Sequence, residues 1–236
     1  MIDRAEASDP SLLSYLRKHP RVSSVVDGGG PGVRFQQGDW HRSVTIGDAT
    51  MDVCGLVELM DNNPLVCADH ASVPDAGSTL ALIALGPLVR AGLIYEAPTF
   101  ITNFEADADL IGAFLSREGW CDGVTYACEL VDLGPVRVGS AIVAIHTPKR
   151  LDDIDDLFAE AYGRSFFVRR EEDAWDIGLV HSQAFGAYKM RISPEEPTSL
   201  LSIQAMGDVD GKCGAAQIVH CMNVMAGFEE TLGIAP

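Results

Sequence analysis

"GKCGAAQIVHCMNVMAGFEETLGI", residues 211–234, lies at the end of a chain of 236 residues. Within it, GAAQIVHCMNVMAGF reads as a closing helix with small residues at its start. Upstream, SFFVRR, DIGLVH, AYKMRIS and SLLSIQAM read as strands, and GVTYACEL and RVGSAIVAIHT alternate as strands do. Between these groups DDIDDLFAEAY sets Ile154, Leu157, Phe158 and Tyr162 at helical spacing, with aspartates in its first turns. From residue 124 on the order is strand, strand, helix, several strands, helix. That order predicts an α/β (α+β) domain with a mixed or antiparallel sheet and helices on one face.

The first half is less regular. PSLLSYLRKH reads as a helix capped by Asp9 or Ser11 and stopped by Pro20. RVSSVVDGGGPGV looks like a strand entering a turn, and HRSVTIGD like a further strand. Residues 79–93 form the most apolar helix of the chain, with Leu80, Leu82, Ile83, Leu85, Leu88 and Val89 leaving little polar face. PTFITNF reads as a strand and EADADLIGAFLSRE as a helix.

Composition narrows the function classes. Formal net charge is −17, from 34 acidic and 17 basic residues, which argues against binding a phosphate backbone. The acidity reads as solubility or salt adaptation. Six cysteines carry no CxxC pair and no zinc spacing. With no signal segment and no run of ~18 apolar residues, the expectation is a cytoplasmic protein with reduced thiols and no membrane partner.

The closing stretch also resembles the end of N-acetyl-gamma-glutamyl-phosphate reductases, of the semialdehyde dehydrogenase superfamily. Lys212, Gly214, Ala215, Ala216, Met222, Asn223, Met225, Glu230, Thr231 and Gly233 match that family's lysine, Gly/Ala-rich turn, Met-Asn-x-Met and Gly-x-x-Glu-Thr-x-Gly pattern. LFAEAYGRSFFVRR, TLALIALGPLVRAGLI and SLLSYLRKHPRVSSVV agree with three further family segments in the same order. The resemblance implies a substrate-binding and dimerisation domain over residues 76–236 and a truncated Rossmann-like remnant over residues 1–75. It also implies NADPH, a cysteine nucleophile attacking an acyl phosphate, a thioester, and a histidine acid/base.

Each chemical part departs from the pattern. No GxGxxG or GxxGxxG precedes the helix at Ser11, and GGGPG at 28–32 reads as a turn, so no cofactor is expected. About 50 residues separate that helix from Cys67, room for roughly two short strands. The family's cysteine position falls on Ala76. The histidine segment is replaced by ITNFEADADLIG, and His146 in AIHTPKR belongs to a later strand. A covalent reduction needs cofactor, nucleophile and acid/base together.

The loop CADHASVPDAGST, residues 67–79, holds Cys67, Asp69, His70, Ser72, Asp75 and Ser78. Four residues are the candidate catalytic groups: Glu129, where the family has a histidine, and His70, Asp75 and Cys67 in the loop. Arg137, Lys212, His181 and Glu105 are the candidate substrate-binding groups; an arginine fork suits a carboxylate or phosphate. Carboxylates facing one another can separate into acid and base. A Cys67–His70 dyad and a metal held by Cys67, Asp69 and His70 are weaker readings of the same loop. So is a plain helix cap by Asp75 and Ser78. His220 lies on the last helix.

Three readings follow. The first is a non-redox acid/base enzyme (cyclisation, elimination, isomerisation or hydrolysis) acting on a small amino-acid-derived substrate, without cofactor or metal; a homodimer or higher homo-oligomer is expected under this reading and the next. The alternative is a non-catalytic scaffold or partner subunit. A third reading keeps NADPH-dependent reduction, with a partner chain supplying the nucleotide domain. An enzyme should bury facing ionisable groups in a concave pocket; a scaffold should show a filled one.

Overall fold

A computed structural model describes residues 1–173 and 175–234. Among these residues the protein is α/β, with six helices and two mixed sheets.

The first sheet is built from β1 (Arg4–Ala7), β2 (Val25–Asp27), β3 (Val33–Gln37), β4 (Trp40–Ile46) and β5 (His70–Val73), in the order β2-β1-β3-β4-β5. The β1/β2 and β4/β5 pairs are parallel; β1/β3 and β3/β4 are antiparallel. Five strands stand where the sequence pattern predicts two. Ala5 and Ala7 are buried while Arg4 is exposed and Glu6 half-buried, a two-residue period over only four positions. The supposed loop at residues 67–79 is also structured. Cys67 ends helix α2 (Asn62–Cys67), His70 opens β5, and Asp75 caps helix α3 (Ala76–Arg90).

Helix α1 (Pro10–Lys18) starts with Asp9 accepting from the Leu12 N–H at 2.7 Å, and Pro10 needs no amide partner in the first turn. It packs beside α6 (Ala215–Met225). One apolar cluster joins α1, α6 and the inward side chains of the first sheet, including Leu12, Leu16, Phe35, Val44, Val219 and Met222. The chain therefore returns at its end to the sheet it began with.

The second sheet runs β7 (Thr125–Cys128), β6 (Thr99–Thr102), β8 (Val136–His146), β11 (Thr198–Asp208), β10 (Gly186–Ser193), β9 (Val168–Arg170). Helices α3, α4 (Ala108–Arg117) and α5 (Asp152–Tyr162) belong to its buried cluster, as the mixed sheet with helices on one face required. α3 is buried from Gly77 to Val89. Each fully buried Leu or Ile there contributes roughly 1.5–3 kcal/mol. Residues 176–181, read as a strand, instead hold a 3-10 turn (Ile177–Leu179) capped by Asp176, whose side chain accepts from the Gly178 N–H. Six residues of alternation cannot be told from a capped turn by pattern alone.

Candidate functional site

The first turn of α3 sits where the reductase resemblance would put a nucleophile. Ala76 opens the helix, and Asp75 accepts from the Ser78 N–H at 3.0 Å. Thr79 Oγ1 donates to the Pro74 carbonyl at 3.2 Å, and Gln217 Nε2 donates to both Pro74 O and Thr79 Oγ1 at 3.0 Å. Ser78, Thr79 and Gln217 are fully buried. The segment before α4 closes on this turn, since a Cβ on Gly77 would lie 2.7 Å from the Ala106 Cβ. Ser78 Oγ and Gln217 Oε1 are buried there with no hydrogen-bond partner among the described residues.

The neighbouring strand ends bring some candidates to the same end of the second sheet. The Glu129 N–H donates to Thr102 O at 2.9 Å. Asn103 clamps the following segments, its Oδ1 accepting from Val138 N and its Nδ2 donating to Val131 O. Arg137 lies over the Phe104 ring at 5.3 Å and donates to Gly134 O at 2.9 Å. Glu105 and Glu129 are exposed beside it. Asp75, Glu105, Glu129 and Arg137 thus share one end of the molecule.

The others lie apart. Cys67 is exposed at the end of α2, while His70 points its Nδ1 at Ser43 Oγ, 3.0 Å away. Asp69 accepts from the Trp40 indole N–H. Among the described residues no three His, Cys, Asp or Glu side chains gather where they could hold a metal. His181 is exposed after the 3-10 turn, with Nδ1 3.2 Å from Ser182 Oγ.

Lys212 is fully buried and donates to both carboxylate oxygens of Glu58, at 2.6 and 2.7 Å. Glu58 lies in a 3-10 turn (Val57–Leu59) and escaped the sequence reading. His220 completes the group: its Nδ1 is 3.9 Å from Glu58, its Nε2 donates to Glu230 at 3.0 Å, and its ring stacks on Phe167 at 3.9 Å. Burial acts to raise the Glu58 pKa, but the Lys212 charge and His220 outweigh it and hold the carboxyl below its ordinary value. Burial lowers the His220 pKa despite its bond to Glu230. His220 is wholly buried, and its Nδ1 has no hydrogen-bond partner among the described residues. Glu58 also borders a depression of about 310 Å³ with Leu59, Pro87, Arg90 and Leu157.

The matched closing motif can now be read in contacts. Asn223 accepts from His19 Nε2 at 2.9 Å and donates to the carbonyls of Glu230 and Leu232. Gly233 takes φ +71°, where a Cβ would meet the His19 ring at 2.5 Å. Lys212, Asn223, Glu230 and Gly233 therefore fasten the chain end to α1 and to Glu58. No family model matches the chain. Over 192 aligned residues it is 22% identical to an N-acetyl-gamma-glutamyl-phosphate reductase of Bacillus cereus (strain 03BB102). The figure is 23% for one of Bacillus anthracis (strain CDC 684 / NRRL 3495) and 22% for one of Bacillus mycoides (strain KBAB4). The chain is a distant relative of N-acetyl-gamma-glutamyl-phosphate reductases. Each alignment covers 68% of this chain and 56% of the reductase, so the chain spans about half the length of the curated relatives it matches. The reductase resemblance read from the closing motif is borne out at this distance. Among the described residues no helix is long and apolar enough to cross a membrane.

Proposed function

We propose that this chain is a non-catalytic subunit: a reductase-derived body used for assembly. The closed first turn of α3 carries the reading. Ala76 stands at the nucleophile's position, Gly77 abuts Ala106, and Asp75 and Thr79 are engaged with the backbone. Residues 76–236 serve as the assembly body and residues 1–75 as a remnant sheet, with α6 packed back onto it. The assembly partner is a second copy, seated on the outer face of the six-stranded sheet. Ile142 and Leu200 are 41% and 50% exposed on that face, with Thr99, Ser202 and Ala144 as their cross-strand neighbours. Two exposed apolar side chains on a sheet face, rimmed by Lys189, Arg191 and Gln204, suit a self-complementary two-fold contact. Sedimentation velocity tests this: a dimer that Ile142→Asp with Leu200→Asp converts to monomer supports the reading, and a monomeric parent overturns it.

A second reading is favoured by the unpartnered Ser78 Oγ and Gln217 Oε1. A polar ligand would satisfy such atoms, and Asp75, Glu105, Glu129 and Arg137 stand at the same end. In this reading the chain is a non-redox acid/base enzyme on a small carboxylated substrate held by Arg137. Mass spectrometry of ligands that co-purify with the native protein distinguishes the two. A ligand lost on Arg137→Gln, together with turnover lost on Glu129→Gln, moves the function to this reading.

A further inference from the structure

The five-stranded sheet has a second face that the assembly reading leaves unused. Ala5, Ala7, Val33, Phe35, Val44 and Val73 turn toward α1, α2 and α6. On the opposite face, Asp48 N donates to Ser72 Oγ at 3.0 Å and Thr45 Oγ1 meets Met51 at one end. The rest forms a groove of about 250 Å³ whose working side chains are Arg4, Glu6, Arg34, His41, Ser43 and His70. Register sets them in order. Glu6, Arg34, Ser43 and His70 are successive cross-strand partners over β1, β3, β4 and β5, and Arg4 and His41 flank Gln36 in the adjacent row. Cross-strand partners stand about 5 Å apart, close enough for one small ligand to touch several.

The charge of this groove runs against that of the chain. Acidic residues outnumber basic ones 34 to 17 overall, yet three arginines and two histidines line this groove against one glutamate, Arg42 being taken up by the carbonyls of Val66, Ala68 and Met225. That glutamate is already engaged, since Arg4 pairs with Glu6 at 2.6 Å. Arg34 stands opposite Glu6 in register, but among the described residues its guanidinium has no hydrogen-bond or ion-pair partner. Beside it, Ser43 and His70 are bonded to each other at 3.0 Å, which orients the imidazole and leaves its Nε2 for another group.

We propose that this groove binds a small oxyanion, carboxylate or phosphate. The Arg34 fork takes two of its oxygens, and Ser43, His41 and His70 supply further hydrogen bonds. A planar guanidinium is suited to that bidentate contact, and an excess of positive side chains lining a groove concentrates anions there. The site is independent of the α3 terminus and of the sheet-face dimer, so its test does not turn on either.

The test is an NMR titration of the full chain with inorganic phosphate and, separately, with succinate, ionic strength being held constant with sodium chloride. The His41 and His70 imidazole signals are assigned from His41→Gln and His70→Gln. The expected result is a saturable shift of both signals with at least one probe. Arg34→Gln should weaken the half-saturation at least ten-fold and leave the remaining spectrum unchanged. Tighter phosphate or tighter succinate names the ligand class. Shifts that never saturate, that sodium chloride alone reproduces, or that Arg34→Gln leaves intact overturn the proposal.

Discussion

Lys212 donates to both oxygens of Glu58 although 154 positions separate them in sequence, and neither side chain has more than 3% of its surface exposed. Removing one partner of such a pair leaves a bare charge in the interior, which costs about 3–5 kcal/mol. Lys212→Ala should therefore lower the urea midpoint strongly without changing the slope. Glu58→Gln combined with Lys212→Met should recover most of the loss, because both charges leave together. A double variant no more stable than Lys212→Ala would show that the pair does more than neutralise itself.

Acid should destabilise the protein in two steps. His220 and His19 both have pKa values lowered by burial from the ordinary 6.5. The unfolded chain takes up those protons first, so stability falls as the pH drops below about 6.5 toward the folded values. Glu58, lowered by Lys212 and His220 against the effect of burial, holds stability above the ordinary carboxylate value of 4.5 and loses it as the pH falls through its folded pKa. Melting temperature against pH should thus be flat between about pH 7 and 8, sag toward pH 5 and drop further below it. His220→Gln should shrink the upper sag and leave the lower drop. A profile that rises on going from pH 7 to pH 5 would reverse these assignments.

Thiol labelling should divide the cysteines evenly. Cys67, Cys121 and Cys128 are exposed, while Cys54, Cys213 and Cys221 are buried. Burial pushes the Cys213 and Cys221 pKa values up to about 12, so neither supplies thiolate near neutral pH. Three thiols should react with a disulfide reagent in the native protein and six in denaturant. Ala76→Cys would add a thiol at the closed turn of α3. Its labelling should be slower than that of Cys67, and a faster rate would mean the turn is open.

How much of this was readable depended on how locally each feature is encoded. Helix α3 was legible because apolar residues recur on every side of it, and α4 and α5 because their acids gather at the N-terminal end. Strands β1 and β5 were not, since four residues cannot declare a period when Arg4 or His70 occupies the open face. Ala76 was found by counting back from Gly86, Pro87 and Leu88, a match carried by adjacent residues. Glu58 could not be found that way, because nothing near it in sequence requires a buried carboxylate and its partner lies on the far side of the chain. The closing motif was the reverse case. Its residues were recognisable as a pattern, but only contacts reveal that Lys212, Asn223 and Glu230 hold the terminus in place.

Asn223 tests that last point. Its side chain is fully buried, and it bonds His19 and two carbonyls of the terminal turn. Asn223→Ala leaves those groups without partners inside the protein, at about 1–3 kcal/mol for each buried group so exposed. Because the bonds tie residues 230–232 to α1, the loss should be local first. Hydrogen exchange at the terminal turn and at Arg21, whose N–H donates to His19 Nδ1 at 3.2 Å, should quicken well before the amides of α3. Asn223→Asp keeps the His19 contact but removes the donor to the two carbonyls, so it should free the turn while sparing Arg21. Equal acceleration across α3 would mean that Asn223 supports the whole core and not the latch alone.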